Sequence, residues 1–282
     1  MNYEFSKNKT MNSLFDIKDQ VVVITGGTGV LGSMIGKYLA KEGCKIAFLS
    51  LPQEEELGKK LVAEIKADGG EACWFATNVL DVATVEQNCK DILAKYGRVD
   101  TLLNAAGGNQ KGATIADDQS IFDLDPKQFS FVLELNLTGT VIPTQVFLKP
   151  MKEQGKGQIV NFGSMTSFRP CTRVCGYSAA KSGIKSFTEY MASEVARKFG
   201  DGIRVNAIAP GFFVTNQNHD LLVNPDGSWT PRAEHIIQQT PFGRMGEPEE
   251  LCGTIHYLIS PASKFVTGTV AVVDGGFNVY CI

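Results

Sequence analysis

The sequence predicts a doubly wound α/β fold: one parallel sheet of seven strands, helices on both faces, in a single domain over residues 18–282. Three observations carry this. Seven short, continuous, largely β-branched runs recur along the chain, as expected of strands buried on both faces. Longer amphipathic segments alternate with them, which implies right-handed βαβ crossovers. No linker, internal repeat or low-complexity tract divides the chain.

In order, residues 1–17 are polar and irregular and read as a flexible arm. The strand runs are 21–25 (VVVIT), 45–50 (KIAFLS), 72–79 (ACWFATNV), 100–107 (DTLLNAAG), 157–164 (GQIVNFGS), 203–211 (IRVNAIAPG) and 269–276 (TVAVVDGG). The first helix shows an apolar stripe, Val30, Leu31, Met34, Ile35, Tyr38 and Leu39, and stops at Gly43. Further helical patterns cover about 54–68, 82–96, 126–154, 176–199 and 247–260. The stretch 212–245 carries few regular signals and contains the turn sequence Asn224-Pro-Asp-Gly227. A long irregular segment after a strand's carboxyl end is the expected form of a substrate lid.

Composition narrows the function classes. A net charge of −3 gives no footprint for nucleic acid or an anionic membrane. No apolar run approaches eighteen residues, so no membrane span is expected. The N-terminus lacks the apolar centre of a signal peptide. Seven scattered cysteines without a CxxC read as reduced thiols of a cytoplasmic protein, and no histidine–cysteine pattern supports a metal site.

Two motifs carry chemistry. The first strand runs directly into Thr25-Gly26-Gly27-Thr28-Gly29-Val30-Leu31-Gly32 and then a helix. The glycines permit a tight turn and close backbone approach, and a pyrophosphate would sit on the free N–H groups of the helix N-terminus. In this strand–turn–helix context the motif reads as a dinucleotide site of Rossmann type. The second strand ends at Ser50 with neither an acidic side chain for a ribose nor a basic one for a 2′-phosphate. Glu54, Glu55 and Glu56 follow and would repel a phosphate, so NAD is favoured over NADP; the same glutamates would equally serve a helix's first turn. The other motif is Tyr177-Ser-Ala-Ala-Lys181. Residues four apart share a helix face, and an ammonium beside a phenol lowers its pKa, which would make Tyr177 an acid/base group. Ser164, just past a strand end, could supply a hydroxyl beside it. Asn136 lies in an otherwise apolar helical face, where a buried amide must be hydrogen-bonded.

Together with Asn78-Val79, Asn104-Ala105-Ala106-Gly107, Asn206, Pro210-Gly211 and Asp274-Gly-Gly276, these landmarks resemble the short-chain dehydrogenase/reductase family over about 18–278. The resemblance implies an NAD(P)-dependent enzyme acting on CH–OH groups. Tyr177 would be its acid/base, and Lys181 would hold the nicotinamide ribose and lower the tyrosine pKa. Ser164 would bind the substrate oxygen and Asn136 a relay water. Gly26, Gly27, Thr28, Val30, Leu31, Gly32, Ser50, Asn78, Val79, Asn104–Gly107, Pro210, Gly211 and Val214 would line the cofactor. Three positions depart from the family pattern: Val30 and Asn78 stand where Gly and Asp are usual, and Ser50 where NAD-dependent members carry an acid.

A narrower likeness to the D-mannonate oxidoreductase (fructuronate reductase) branch is carried by Leu103–Asn109, Ser164–Pro170, Ala209–Asn218 and Thr230-Pro-Arg232. It implies a sugar-acid substrate, D-mannonate or D-fructuronate. Asn109, Ser164, Arg169, Arg173 and Gln217 are the expected substrate contacts; a carboxylate wants a cation or several amides, and hydroxyls want polar groups. Another ketone, such as a gluconate-type polyol or a 3-oxoacyl thioester, is the alternative substrate, and a non-catalytic dinucleotide-binding protein the alternative class. The resemblance further implies a homo-oligomer, commonly a tetramer, with no nucleic-acid partner.

Overall fold

The computed structural model describes residues 11–215 and 218–280. Its sheet has seven strands, all parallel, in the order β3-β2-β1-β4-β5-β6-β7. These are β1 (Val21–Thr25), β2 (Lys45–Ser50), β3 (Glu71–Ala76), β4 (Thr101–Asn104), β5 (Gly157–Phe162), β6 (Ile203–Pro210) and β7 (Val270–Val273). The order reverses between β1 and β4, and a crevice opens there at the strands' carboxyl ends. Every residue of β1, β4 and β6 is buried, which is why these runs are largely apolar and why their polar members, Thr101, Asn104, Arg204 and Asn206 among them, are hydrogen-bonded inside.

The helices are α1 (Met11–Leu14), α2 (Val30–Lys41), α3 (Glu55–Ala67), α4 (Val82–Tyr96), α5 (Pro126–Leu133), α6 (Gly139–Gln154), α7 (Cys175–Phe199), α8 (His219–Leu222), α9 (Pro231–Gln238) and α10 (Cys252–Ile259). One apolar cluster packs α2 and α10 on one sheet face around Ile24, Phe48 and Ile255. A second packs α4, α6 and α7 on the other around Ile92, Phe147 and Val195.

Four sequence expectations need correction. The arm ends before residue 17: Ile17 is buried, its carbonyl accepts from Cys44 Sγ at 3.2 Å, and His256 Nε2 lies 2.7 Å from the Phe15 carbonyl. Residues 1–10 lie outside the described residues. The helix over 126–154 is not uniform, because a π-helical turn, Glu134–Thr138, joins α5 to α6. By length and composition Pro126–Gln154 also passes as a membrane span, contrary to the sequence reading. Its buried residues, Phe147 and Met151 among them, instead belong to the core on one sheet face. Finally, 212–245 is not wholly irregular. Thr230 Oγ1 accepts from the Ala233 N–H, Pro231 opens α9, and Leu222, Ala233, Ile236 and Met245 form a small core of their own.

Candidate active site

The glycine-rich turn leaves β1 and enters α2 with Gly29 at the N-cap and no side chain closing the helix end. Gly26 is left-handed, φ +63°, and a Cβ on Gly32 would stand 2.6 Å from the Gly26 carbonyl oxygen. Only glycine tolerates that approach. Thr28 Oγ1 is buried without a hydrogen-bond partner beside this open helix end. An uncapped N-terminus with an unpartnered hydroxyl is a place for phosphate oxygens, and the residues fit a dinucleotide.

From Leu31 a narrow cleft of about 160 Å³ runs past Ala105, Gly107, Pro210 and Gly211 to Lys181, Ser164 and Tyr177. Gly107 is the tight point: a Cβ there would be 2.6 Å from Asn136 Oδ1 and 3.4 Å from Lys181 Nζ. Asn136, wholly buried in the π turn, accepts from the Gly108 N–H at 3.2 Å and donates to the Gly108 carbonyl at 2.7 Å and the Val132 carbonyl at 2.8 Å. A π turn offsets the helix by one residue and is common at functional sites. Here it delivers this amide to the cleft backbone.

Ser164 caps a short turn, Met165–Ser167, its Oγ accepting from the Thr166 N–H at 3.2 Å. That hydroxyl stands beside Tyr177 and pulls its pKa down. Lys181 is buried, donates to the Phe162 carbonyl at 2.7 Å, and lies 5.3 Å from the centre of the Tyr177 ring. Burial pushes the Tyr177 phenol up to about 12, against this smaller downward pull from Ser164. Burial likewise pushes the Lys181 ammonium down to about 7. The tyrosine still reaches the cleft with part of its surface. The expected lowering of the phenol by Lys181 is therefore overturned: a buried amine titrating near neutrality carries only part of a charge. At pH 7 Tyr177 keeps its proton, the state a proton donor needs.

Beyond Ser164, Tyr177 and Gly211 the cleft widens into a cavity of about 750 Å³. Asn109 lines it, its Nδ2 donating to Thr114 Oγ1 at 3.0 Å while its Oδ1 is buried and unpartnered. Thr166 and Arg232 also line it, and neither was singled out from sequence as a contact. Thr166 Oγ1 is buried without a partner. A buried polar atom is invisible in a sequence, whereas Arg232 had a faint signal as a cation in the first turn of a helix.

The remaining expected residues separate. Ser50 is buried and accepts from Trp74 Nε1 at 2.8 Å, so its hydroxyl is already engaged. Val79 is buried under Gly139, and Asn78 is exposed at the end of β3, accepting from the Leu80 N–H. Asn104 faces the interior, donating to Thr144 Oγ1 and Asn161 Oδ1 at 2.9 Å each, and ties β4 to β5 and α6. Ala106 donates its N–H to Thr25 Oγ1 and backs the Gly26 turn. Val214 packs on the small core of the 212–245 segment. Gln217 lies outside the described residues.

Two substrate expectations fail. Arg169 is exposed, donates to the Phe277 and Tyr280 carbonyls at 3.2 and 3.3 Å, and stacks over the Phe277 ring. It clamps the C-terminal turn. Arg173 sits in the left-handed region, φ +75°, with its side chain 3.5 Å from Asp117 and its carbonyl accepting from the Ile115 N–H. It braces the loop after β4. Sequence position puts both near the site, but neither lines the cavity among the described residues.

Residues 29–278 match a family model described as enoyl-(acyl carrier protein) reductase. The chain belongs to the short-chain dehydrogenase/reductase family. It is an NAD(P)-dependent oxidoreductase acting on CH–OH groups. An uncharacterised oxidoreductase of Bacillus subtilis, UxuB, is 44% identical over 94% of this chain and 97% of its own length. A solved structure from Haemophilus influenzae, provisionally a D-mannonate oxidoreductase with bound NAD, superposes with a TM-score of 0.86 at 41% identity, covering 94% of this chain and 97% of that one. A gluconate 5-dehydrogenase from Burkholderia cenocepacia, in complex with NADP and tartrate, gives 0.83 at 28% identity over 95% and 99%. Among the described residues no cluster of three histidine, cysteine or acidic side chains could hold a metal.

Proposed function

We propose that this enzyme interconverts a secondary alcohol and a ketone on a sugar acid, D-mannonate and D-fructuronate, with NAD. The observation that carries the reading is the paired hydroxyls of Ser164 and Tyr177 at the junction of the narrow cleft and the wide cavity. The likeness to the NAD-bound Haemophilus structure, and to a gluconate dehydrogenase, supports the substrate class. The lack of a basic residue at the end of β2, followed by three glutamates, supports NAD.

The residues take these roles. Backbone N–H groups at the start of α2 and the Thr28 hydroxyl hold the pyrophosphate. Leu31, Ala105, Gly107, Pro210 and Gly211 line the path of the dinucleotide, whose nicotinamide supplies or accepts the hydride. Ser164 Oγ donates to the substrate oxygen. Tyr177 gives its phenolic proton to that oxygen in reduction and recovers it in oxidation. Lys181 completes the ribose side, and Asn136 keeps the Gly107–Gly108 backbone against the cleft. The proton-holding state of Tyr177 suits the reductive direction at neutral pH.

NADH consumption with D-fructuronate tests the proposal. Turnover is expected with fructuronate and, in reverse, with D-mannonate. A folded, NADH-binding sample that turns over no uronate or aldonate would refute it.

A further inference from the structure

We infer that Arg232, on α9, is the carboxylate anchor of the substrate cavity. The inference rests on the sugar-acid reading and assigns the charge recognition within it. The two arginines expected in that role are used elsewhere, Arg169 on the C-terminal turn and Arg173 against Asp117. Of the described residues lining the cavity, only Arg232 and Lys111 are cationic, and Lys111 is exposed on its own short turn. Arg232 is half-buried and has no carboxylate within ion-pair distance among the described residues.

Its place in α9 argues further. Arg232 is the second residue of the helix, after the Thr230 cap and Pro231. The N-terminal end of a helix carries partial positive charge, so a cation there loses stability rather than gaining it. An arginine at that position, lining a cavity and forming no salt bridge among the described residues, does nothing for its own helix. It offers a planar fork of donors to a bidentate acceptor. Two acidic side chains, Asp118 and Asp220, also line the cavity; both are exposed and water-screened, and Asp220 is turned toward His219 at 3.2 Å. Ser164 and Tyr177 stand where the cavity meets the narrow cleft, whereas Arg232 lines only the cavity, and Asn109 and Thr166 present unpartnered polar atoms. The cavity lining is mixed, with Met165, Val174, Phe212 and Leu222 among its apolar walls, and its polar groups are the Ser164 and Tyr177 hydroxyls, the Asn109 amide, the Thr166 hydroxyl and the Arg232 guanidinium. A polyhydroxy chain with a ketone near one end and a carboxylate at the other fits that arrangement.

The test uses the wild type, Arg232→Gln and Arg232→Lys. Binding of D-mannonate to the enzyme–NADH complex is measured by calorimetry. Turnover is measured with D-fructuronate and with D-fructose, the same ketone with a primary alcohol in place of the carboxylate. Arg232→Gln is expected to weaken mannonate binding and fructuronate kcat/KM by about 30- to 100-fold. Its NADH affinity and its fructose turnover should remain at the wild-type level, and Arg232→Lys should recover part of the loss. Equal mannonate binding by wild type and Arg232→Gln, or no mannonate binding by the wild type, overturns the anchor. So does an equal loss on both sugars. Failure of the sugar-acid reading shows separately, as an absence of fructuronate turnover in the wild type.

Discussion

The two ends of the active-site groove are built on different terms. The dinucleotide end is glycine backbone packed closely against its surroundings. A Cβ at Gly32 would meet the Gly26 carbonyl at 2.6 Å, and one at Gly107 would meet the Asn136 amide at 2.6 Å. The substrate end is a cavity of about 750 Å³ walled by loop side chains, several with unpartnered polar atoms. The first is closed to change because nothing there can move aside. The second can be rebuilt by substitution without disturbing the sheet. That contrast accounts for a family in which a common cofactor cleft serves many substrates.

Tyr177 lies where the two ends meet, and its removal has the largest expected effect. Tyr177→Phe should lower kcat by roughly 10³-fold, the scale of a lost general acid, while NADH affinity measured by fluorescence stays near the wild-type value. Retained turnover would reject the proton-donor role. Gly32→Ala probes the closed end. It should weaken NADH binding at least tenfold and destabilise by about 1–3 kcal/mol, as forced overpacking does, with equal loss on every substrate. A change confined to one substrate would contradict the division between the two ends.

Lys181 gives a pH signature. Its folded-state pKa, about 7, is depressed from 10.5. Its contribution to stability is therefore fully present above pH 10.5 and is lost as pH falls toward 7, because only the unfolded chain gains the proton over that range. Lys181→Met should flatten the fall in melting temperature between pH 10 and pH 7 while abolishing most turnover; an unchanged slope would show that the ammonium is not desolvated. The smallest effect is expected at Arg169. Arg169→Ala should change fructuronate kcat/KM by less than about threefold, since the group is exposed and off the cavity. It should nonetheless make the C-terminal turn around Phe277 more sensitive to protease. A large loss of activity would return Arg169 to the substrate site.

The outcomes differ by kind of residue. Strand runs and the glycine turn were legible because burial on both faces and phosphate approach demand particular side chains at particular spacings. Asn104 was misplaced because a polar residue at the end of a strand reads alike whether it faces a ligand or, as here, Asn161 and Thr144 across the interior. Arg169 and Arg173 were misplaced for a related reason: a long cation beside a site in sequence can reach several partners, and only coordinates select one. The helix α9 was missed although Thr230 and Pro231 are cap and first-turn residues, because its apolar face packs on a small core local to the 212–245 segment.

By itself the sequence determined the parallel sheet, the glycine-rich strand–turn–helix and the placement of Tyr177 and Lys181 on one helix face, since each follows from local periodicity, chirality and fixed spacing. Tertiary structure alone decided the protonation of that pair and the walls of the cavity. Burial, supplied by segments distant in the chain, raises the Tyr177 phenol and lowers the Lys181 ammonium, reversing what their spacing alone suggests. The same long-range packing occupies Arg169 and Arg173 and brings Arg232, some fifty residues further along the chain than Tyr177, to line the same cavity. Desolvation and side-chain direction depend on neighbours brought together only by the completed fold, and no local pattern encodes them.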